Sequence, residues 1–333
     1  SAAAREVAKH LGTEHAELVV TPAEAQAVIP KLPTIYDEPF GDASAIPTWL
    51  LAGLARTQVT VALSGDGGDE LFAGYGRYSR TSQLWSRAAA LSPTARRAAN
   101  LAMSAIPATA LQRVMVSLQV GGFPHLFSDR VRGFRTAFSA SDVAALYDVR
   151  ISNWPDPAAV LKSGAAPTPS WAAKAELART HPTERMMAFD TRSYLPDDVL
   201  VKVDRAAMSH SLETRVPLLD HRVVEFAWSL PHAMRVRGGE QKWLLKQLLY
   251  RHVPRTLVDR PKQGFGVPIS AWLRAPLKAW ADELLSVQAL ELEGPFRAEP
   301  LRELWQQHLS GKADWQHRLW PVLMYQQWNR SLS

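Results

Sequence analysis

The chain has no cysteine among its 333 residues. That excludes disulfides, thiolate zinc sites and a thiol nucleophile within it, and it suits a reducing cytoplasm. No stretch reaches the roughly 18 uninterrupted apolar residues of a membrane span. The most apolar candidate, Leu101 to Val120, carries Arg113 and two glutamines. No basic-then-apolar leader opens the sequence, and internal repeats and low-complexity tracts are lacking too. SAAAREVAKHLG reads as an amphipathic helix ending at Gly12, and since it opens at Ser1 rather than Met, residues upstream are expected.

What is present is a globular composition, 47% hydrophobic and 21% charged, enough for one large core or two modest ones. Basic residues outnumber acidic ones, 38 to 32, with a pI near 9.6. The arginines are scattered through Ala-rich stretches rather than gathered in a tract. This reads as a solvated basic surface, with no nucleic-acid partner and no membrane partner expected. The twelve Trp serve core or interface alike, so a homodimer is compatible with the composition.

Along the chain, HAELVV reads as a short strand. Thr21, Pro22 and Glu24 then suit an N-cap, a first helical position and a capping-box acid. VTVALS, from Val59, is β-branched and reads as a buried parallel strand. It ends at the glycines, and DELFAGYGRYSR after them has helical apolar spacing weakened by Gly74 and Gly76. From about Trp85 to Leu126 the pattern is Ala-rich and helical, residues 153–171 form a Pro-rich connection, and helical patterning resumes near Thr183. The expected organisation is a small α/β part over residues 1–82, the C-terminal part of its core. A mainly helical part follows over 83–333 and completes the site through 183–270.

Three segments carry chemistry. Glycines at the carboxyl end of a strand permit close backbone approach by a phosphate, held by amides of the turn and of the next helix. Carboxylates beside such a cradle repel phosphate unless a Mg²⁺ bridges them, so Asp66, Asp69 and Glu70 read either as a nucleotide-metal site or as caps of the following helix. No Gly-Lys-Ser/Thr follows, so the loop is not a Walker A motif. The second segment, Tyr194 to His221, mixes apolar residues with many opposite charges and suggests partly buried ion pairs, most of them structural. In the third, RGGEQKWLLKQLL, two glycines are read as opening a helix whose early Lys242 is either phosphate-facing or an ordinary surface lysine.

Five blocks, YDEPFGDASAIPTWLL, VALSGDGGDELFAGYGRY, YLPDDVLVKVDRAAMSHSLETRVPLLDHRVVEFAWSLP, RGGEQKWLLK and RPKQGFGVPISAWLR, resemble in order and spacing the synthetase domain of glutamine-hydrolysing asparagine synthetases. The resemblance spans nearly the whole chain. It implies an α/β fold of the adenine nucleotide alpha hydrolase (ATP-pyrophosphatase) type, with a parallel sheet incomplete at its N-terminus and a mostly helical region after it. It also implies ATP and Mg²⁺, with L-aspartate activated as an acyl-adenylate and attacked by ammonia from glutamine.

Carried over by position, Ser64 and Gly65 match nucleotide-contacting residues and Asp69 matches an acid implicated in Mg²⁺ binding. Asp66 falls where the family places an acid that manages the ammonia proton, and Lys242 matches the lysine that stabilises adenylate and pyrophosphate. Asp37, Glu38, Asp42 and Ser44 resemble the wall of the aspartate site, with Asp204, Arg205 and Arg215 as supporting shell. The family's first phosphate loop, Ser-Gly-Gly-x-Asp-Ser, and its Cys-initiated glutaminase domain are absent from these residues. They are expected upstream on the same chain, and the 333 residues alone are expected to be inactive. Related enzymes that form other amides or β-lactams are an alternative, although the lactam-forming relatives carry a tyrosine at the position of Asp66. A non-catalytic scaffold module is another.

Overall fold

A computed structural model describes residues 2–105, 136–154, 156–163, 181–260 and 266–332. Parts of three expected segments lie outside the described residues: 106–126 of the Ala-rich stretch, 164–171 of the Pro-rich connection and 261–265 of the last block. The described chain is mostly helical and forms two compact units. One comprises Ser1–Gly74, Asp156–Ala166 and Asp190–Ser333, the other Tyr75–Pro155 and Pro167–Phe189.

Helix α1 (Ala2–Leu11) is closed by Gly12 at φ 67°, a left-handed conformation that glycine adopts without a Cβ clash. The strand expected in HAELVV does not form: residues 13–20 carry no regular structure, and Val19 is 86% exposed. A strand is stable only with a paired ladder and a buried face, and this segment has neither among the described residues. The cap that follows is as expected. Thr21 accepts the Glu24 backbone N–H, and the Glu24 carboxylate accepts the Thr21 N–H at 2.8 Å, starting α2 (Pro22–Gln26).

Helices α3 (Leu32–Tyr36) and α4 (Ala45–Arg56) precede strand β1 (Val61–Leu63) and the short α5 (Gly68–Leu71). The second unit holds α6 (Gly76–Ala89), α7 (Pro93–Ala105), α8 (Val143–Ile151) and most of α9 (Pro182–Arg192). Its interior includes Ala88, Ala137 and Leu146, packed by Leu84 and Trp85. Asp142 caps α8 by accepting the N–H groups of Ala144 and Ala145.

Back in the first unit, a π-helical turn at Leu195–Leu200 leads into α10 (Val201–Met208) and strand β2 (Glu213–Arg215). β1 and β2 pair in parallel, Val61 opposite Glu213 and Leu63 opposite Arg215. The parallel strand was expected here, but its full burial was not met: Val61 and Leu63 are 38% and 72% exposed. Successive strand residues point to opposite faces. Only Ala62 faces the cluster of Ala52, Ala207 and Leu212 supplied by α4, α10 and the turn before β2. Among the described residues, helices therefore cover one face of the pair and leave the other open.

Helix α11 (His221–Ser229) is capped by Asp220 and is followed by the antiparallel pair β3 (Val236–Arg237) and β4 (Glu240–Gln241), then α12 (Trp243–Leu249). Helices α13 (Ile269–Arg274), α14 (Lys278–Leu284), α15 (Ala298–Leu309) and α16 (Gln316–Ser331) build a core around Leu301, Trp305, Leu319 and Leu323. Gly41 lies so close to α16 that a Cβ there would stand 3.2 Å from Pro321 Cβ, which fixes the loop between α3 and α4 against that helix. No helix among the described residues is long and apolar enough to cross a membrane.

Candidate active site

The glycine loop leaves β1 with its ladder extended by one bond, as the Ser64 N–H donates to the Arg215 carbonyl at 2.9 Å. The Ser64 hydroxyl then donates to Asp66 Oδ2 at 2.8 Å, which folds the turn back on itself. Gly65 is exposed, and a Cβ on it would meet nothing within 4 Å. Gly67, at φ 79°, starts α5, and a Cβ on it would lie 2.5 Å from Leu219 Cδ2. Glycine is required there for both conformation and space. Asp69 and Glu70 fall in the first turn of α5, where the helix dipole favours acids; Glu70 is buried.

Lys242 reaches this loop from far along the chain. The two glycines before it do not open a helix as expected. Gly238 and Gly239, at φ 58° and 84°, turn the β3–β4 hairpin, because successive left-handed residues suit a tight antiparallel connection. Lys242 itself is left-handed, at φ 53°, and stands as the N-cap of α12. Its backbone N–H donates to the Phe72 carbonyl at 3.2 Å, and its Nζ lies 2.9 Å from Asp69 Oδ1. Gly74 makes this pairing sterically feasible: a Cβ there would overlap both Lys242 Cε and Asp69 Oδ1. Two residues predicted from sequence are thus brought into one ion pair, and Gly74, not predicted, is the space that admits it.

A second cluster gathers around Asp42. Its Oδ1 accepts the Ser44 N–H at 2.9 Å, and its Oδ2 accepts the Ser44 hydroxyl and Lys202 Nζ, each at 2.7 Å. Asp198 Oδ1 lies 3.7 Å from the same Nζ. Burial and the charge of Asp42 push the Asp198 carboxyl up to about 7. Burial acts on Asp42 in the same direction, but Lys202 and Ser44 overcome it and hold that carboxyl below its ordinary range. Lys202 is raised, since the two carboxylates outweigh its own burial. The Tyr36 hydroxyl donates to the Lys202 carbonyl at 3.1 Å, and Arg205 donates to the Tyr36 carbonyl, so α3 and α10 are locked together beneath the cluster.

Lys202 and Asp198 were not singled out from sequence as site residues. The available signal was their i,i+4 spacing inside an apolar segment, which places both on one helical face. The remaining predicted residues stand apart. Asp37 is exposed and left-handed at φ 54°, and the Glu38 carbonyl accepts the Phe40 N–H. Asp204 is exposed on α10. Arg215 pairs with Glu213 at 2.6 Å on an exposed stretch of β2, and its backbone carbonyl accepts the Ser64 N–H at the start of the loop.

No group of three or more His, Cys, Asp or Glu side chains converges as a metal cage among the described residues. Asp69, with Asp66 in the same turn, would instead supply the one or two carboxylates that a Mg²⁺ arriving with phosphate takes, since that ion keeps its waters.

A helical chain with a small parallel sheet, a glycine loop at the strand end and a lysine paired to an acid just after that loop defines an α/β protein. The asparagine synthase family model matches residues 1–330, and the chain belongs to that family. It is 28% identical over 346 aligned positions to asparagine synthetase (glutamine-hydrolyzing) 1 of Bacillus subtilis, covering 98% of this chain and 49% of that protein. A putative asparagine synthetase of Mycobacterium bovis is 31% identical over 327 positions, covering 97% of this chain and 47% of that one. The human asparagine synthetase is 31% identical over 139 positions, covering 37% of this chain and 24% of that one. The chain spans about half the length of the first two relatives.

Proposed function

We propose that this chain is the synthetase portion of a glutamine-dependent asparagine synthetase. It would activate the side-chain carboxylate of L-aspartate with ATP, giving β-aspartyl-AMP and pyrophosphate, and ammonia would then displace AMP to give L-asparagine. A carboxylate resists nucleophiles because it is anionic and resonance-stabilised; replacing one oxygen by AMP supplies a leaving group. The observation that carries this reading is the ion pair of Lys242 with Asp69 at the glycine loop. It sets a cation and a metal-capable acid side by side, the two kinds of group that would offset negative charge on a departing pyrophosphate.

In this reading Ser64 and Gly65 approach the nucleotide, and Asp69 with the phosphates holds Mg²⁺. The metal, when bound, offsets phosphate charge. Lys242 steadies the adenylate and pyrophosphate, and Asp66, held by Ser64, takes the proton released as ammonia attacks. Asp42 and Ser44 line the amino-acid side, with Asp37 and Glu38 in the same loop; Arg205 supports it through Tyr36, and Asp204 and Arg215 belong to the surrounding shell. Ammonia would come from glutamine through a glutaminase domain upstream on the same chain, and the site would work in the cytoplasm. Residues 1–333 by themselves are proposed to lack synthetase activity.

The test is to assay the natural full-length protein for AMP and asparagine from ATP, Mg²⁺, L-aspartate and ammonia, beside Asp69→Asn. Equal amounts of both products, lost in the variant, support the proposal. AMP without asparagine redirects the same adenylation to another nucleophile, and neither product overturns the reading.

A further inference from the structure

The Lys242–Asp69 pair joins two groups that the proposed function assigns to different ligands, the lysine to phosphate and the acid to metal. At 2.9 Å each group occupies the position the other's ligand would need. The pair is built rather than incidental. Lys242 is held in a left-handed conformation that is uncommon for a residue with a long side chain, and its N–H is tied to Phe72 next to the loop. The Gly74 N–H donates to the Asp69 carbonyl at 2.8 Å, which places the one residue lacking a Cβ against both partners. Gly68 adds room on the other side, where a Cβ would stand 3.7 Å from Lys242 Nζ.

Resting on that reading, we infer that Lys242 and Asp69 form a charge-exchange latch, in which a divalent cation takes Asp69 and thereby releases Lys242 for a polyphosphate. Paired with each other, the Lys242 ammonium and the Asp69 carboxylate cancel in charge, which lowers the cost of holding the two together in a half-buried loop. A cation arriving alone must displace the ammonium, and a polyphosphate arriving alone must draw the ammonium away and leave the acid facing it. Arriving together they exchange partners, so each ligand lowers the cost of the other's binding. That is a reciprocal coupling in the thermodynamic sense. The latch therefore selects a metal-complexed polyphosphate over either component, with Gly74 as the residue that permits the swing.

Acylation of the Lys242 amine by an activated ester, read by peptide mass spectrometry on the natural full-length protein, tests the latch without relying on catalysis. Binding of Mn²⁺ is followed separately by water-proton relaxation. The latch predicts that Lys242 is slow to acylate, that Mg²⁺ alone accelerates it about 1.5-fold to fivefold, the factor of breaking a partly exposed ion pair, and that pyrophosphate with Mg²⁺ protects it. In Asp69→Asn the amine should be fast from the start and indifferent to Mg²⁺. Gly74→Ala should resemble Asp69→Asn in Lys242 reactivity while keeping both charges, and circular dichroism of each variant shows whether it is folded. If Mn²⁺ binds in an Asp69-dependent way yet Mg²⁺ leaves Lys242 acylation unchanged, the latch is overturned while the nucleotide reading stands. If Mn²⁺ does not bind with or without pyrophosphate, the metal role of Asp69 fails and the latch with it.

Discussion

Lys202 Nζ stands 2.7 Å from Asp42 Oδ2 and 3.7 Å from Asp198 Oδ1, a single ammonium serving two carboxyls that come from separate sequence segments of the first compact unit. The lysine side chain is 13% exposed, so water screens the arrangement poorly. Removing the ammonium leaves two carboxyls facing each other without their counter-charge. Lys202→Met is expected to destabilise the fold by about 3 kcal/mol, the cost of leaving a buried charge unpaired. Urea unfolding with an unchanged slope and a lower midpoint would agree with this; an unchanged midpoint would show that the cluster carries no stability.

The same cluster sets a pH dependence. The Asp198 carboxyl sits at about 7 in the folded chain, well above the roughly 3.9 of an unfolded aspartate. Between these values the folded state holds the extra proton, so stability falls as pH rises through the window and levels off above it. Asp42 and Lys202 both face the group and remain charged across that range. Asp198→Asn should leave the urea midpoint nearly unchanged near pH 5 and raise it near pH 8. A variant that loses stability equally at both pH values would rule this out.

His308 contributes with the opposite sign. Its ring is buried and nearly parallel to Trp305, and its Nδ1 accepts the Trp315 N–H at 3.1 Å. Burial, aided by the Arg274 charge, holds the imidazole below its ordinary value. The unfolded chain then binds the proton more readily, so this stability is present at neutral pH and is lost as pH falls below about 6.5. His308→Asn keeps an acceptor near Trp315 and is expected to flatten the acid limb of the stability curve at some cost in packing. An acid limb as steep as in the parent chain would contradict the assignment.

The one-sided sheet makes a paired prediction. Leu63 is 72% exposed, and Leu63→Ser should change stability by less than about 0.5 kcal/mol. Ala207, packed beneath Ala62, is 2% exposed; Ala207→Leu should cost about 1–3 kcal/mol through overpacking. Equal effects at the two positions would mean that the faces are not as unlike as described.

Much of the local structure was legible because its causes are local. The Thr21–Glu24 capping box, the Gly12 stop and the parallel strand at Val61–Leu63 follow from side-chain reach, backbone sterics and β-branching. HAELVV has the same local strand pattern, yet no ladder partner reaches it among the described residues, and a strand without one does not persist. The burial of Val61 and Leu63 failed for a related reason, because the cover on a strand's second face comes from elsewhere in the fold. Gly238 and Gly239 were read as opening a helix, since glycine signals a break without saying which turn replaces it.

The sequence by itself determined the family, through blocks whose order survives at modest identity, and it supplied the groups on which the proposed site rests: glycines between Gly65 and Gly68, an acid at Asp69 and a cation at Lys242. Only the tertiary structure decided that Asp69 and Lys242 meet, that Gly74 makes room for them, and that Lys202 divides itself between Asp42 and Asp198. The physical reason is distance along the chain. Propensity, capping and periodicity act within a few residues, whereas an ion pair between remote segments exists only when packing has carried both groups to within a few ångströms and excluded the water that would screen them.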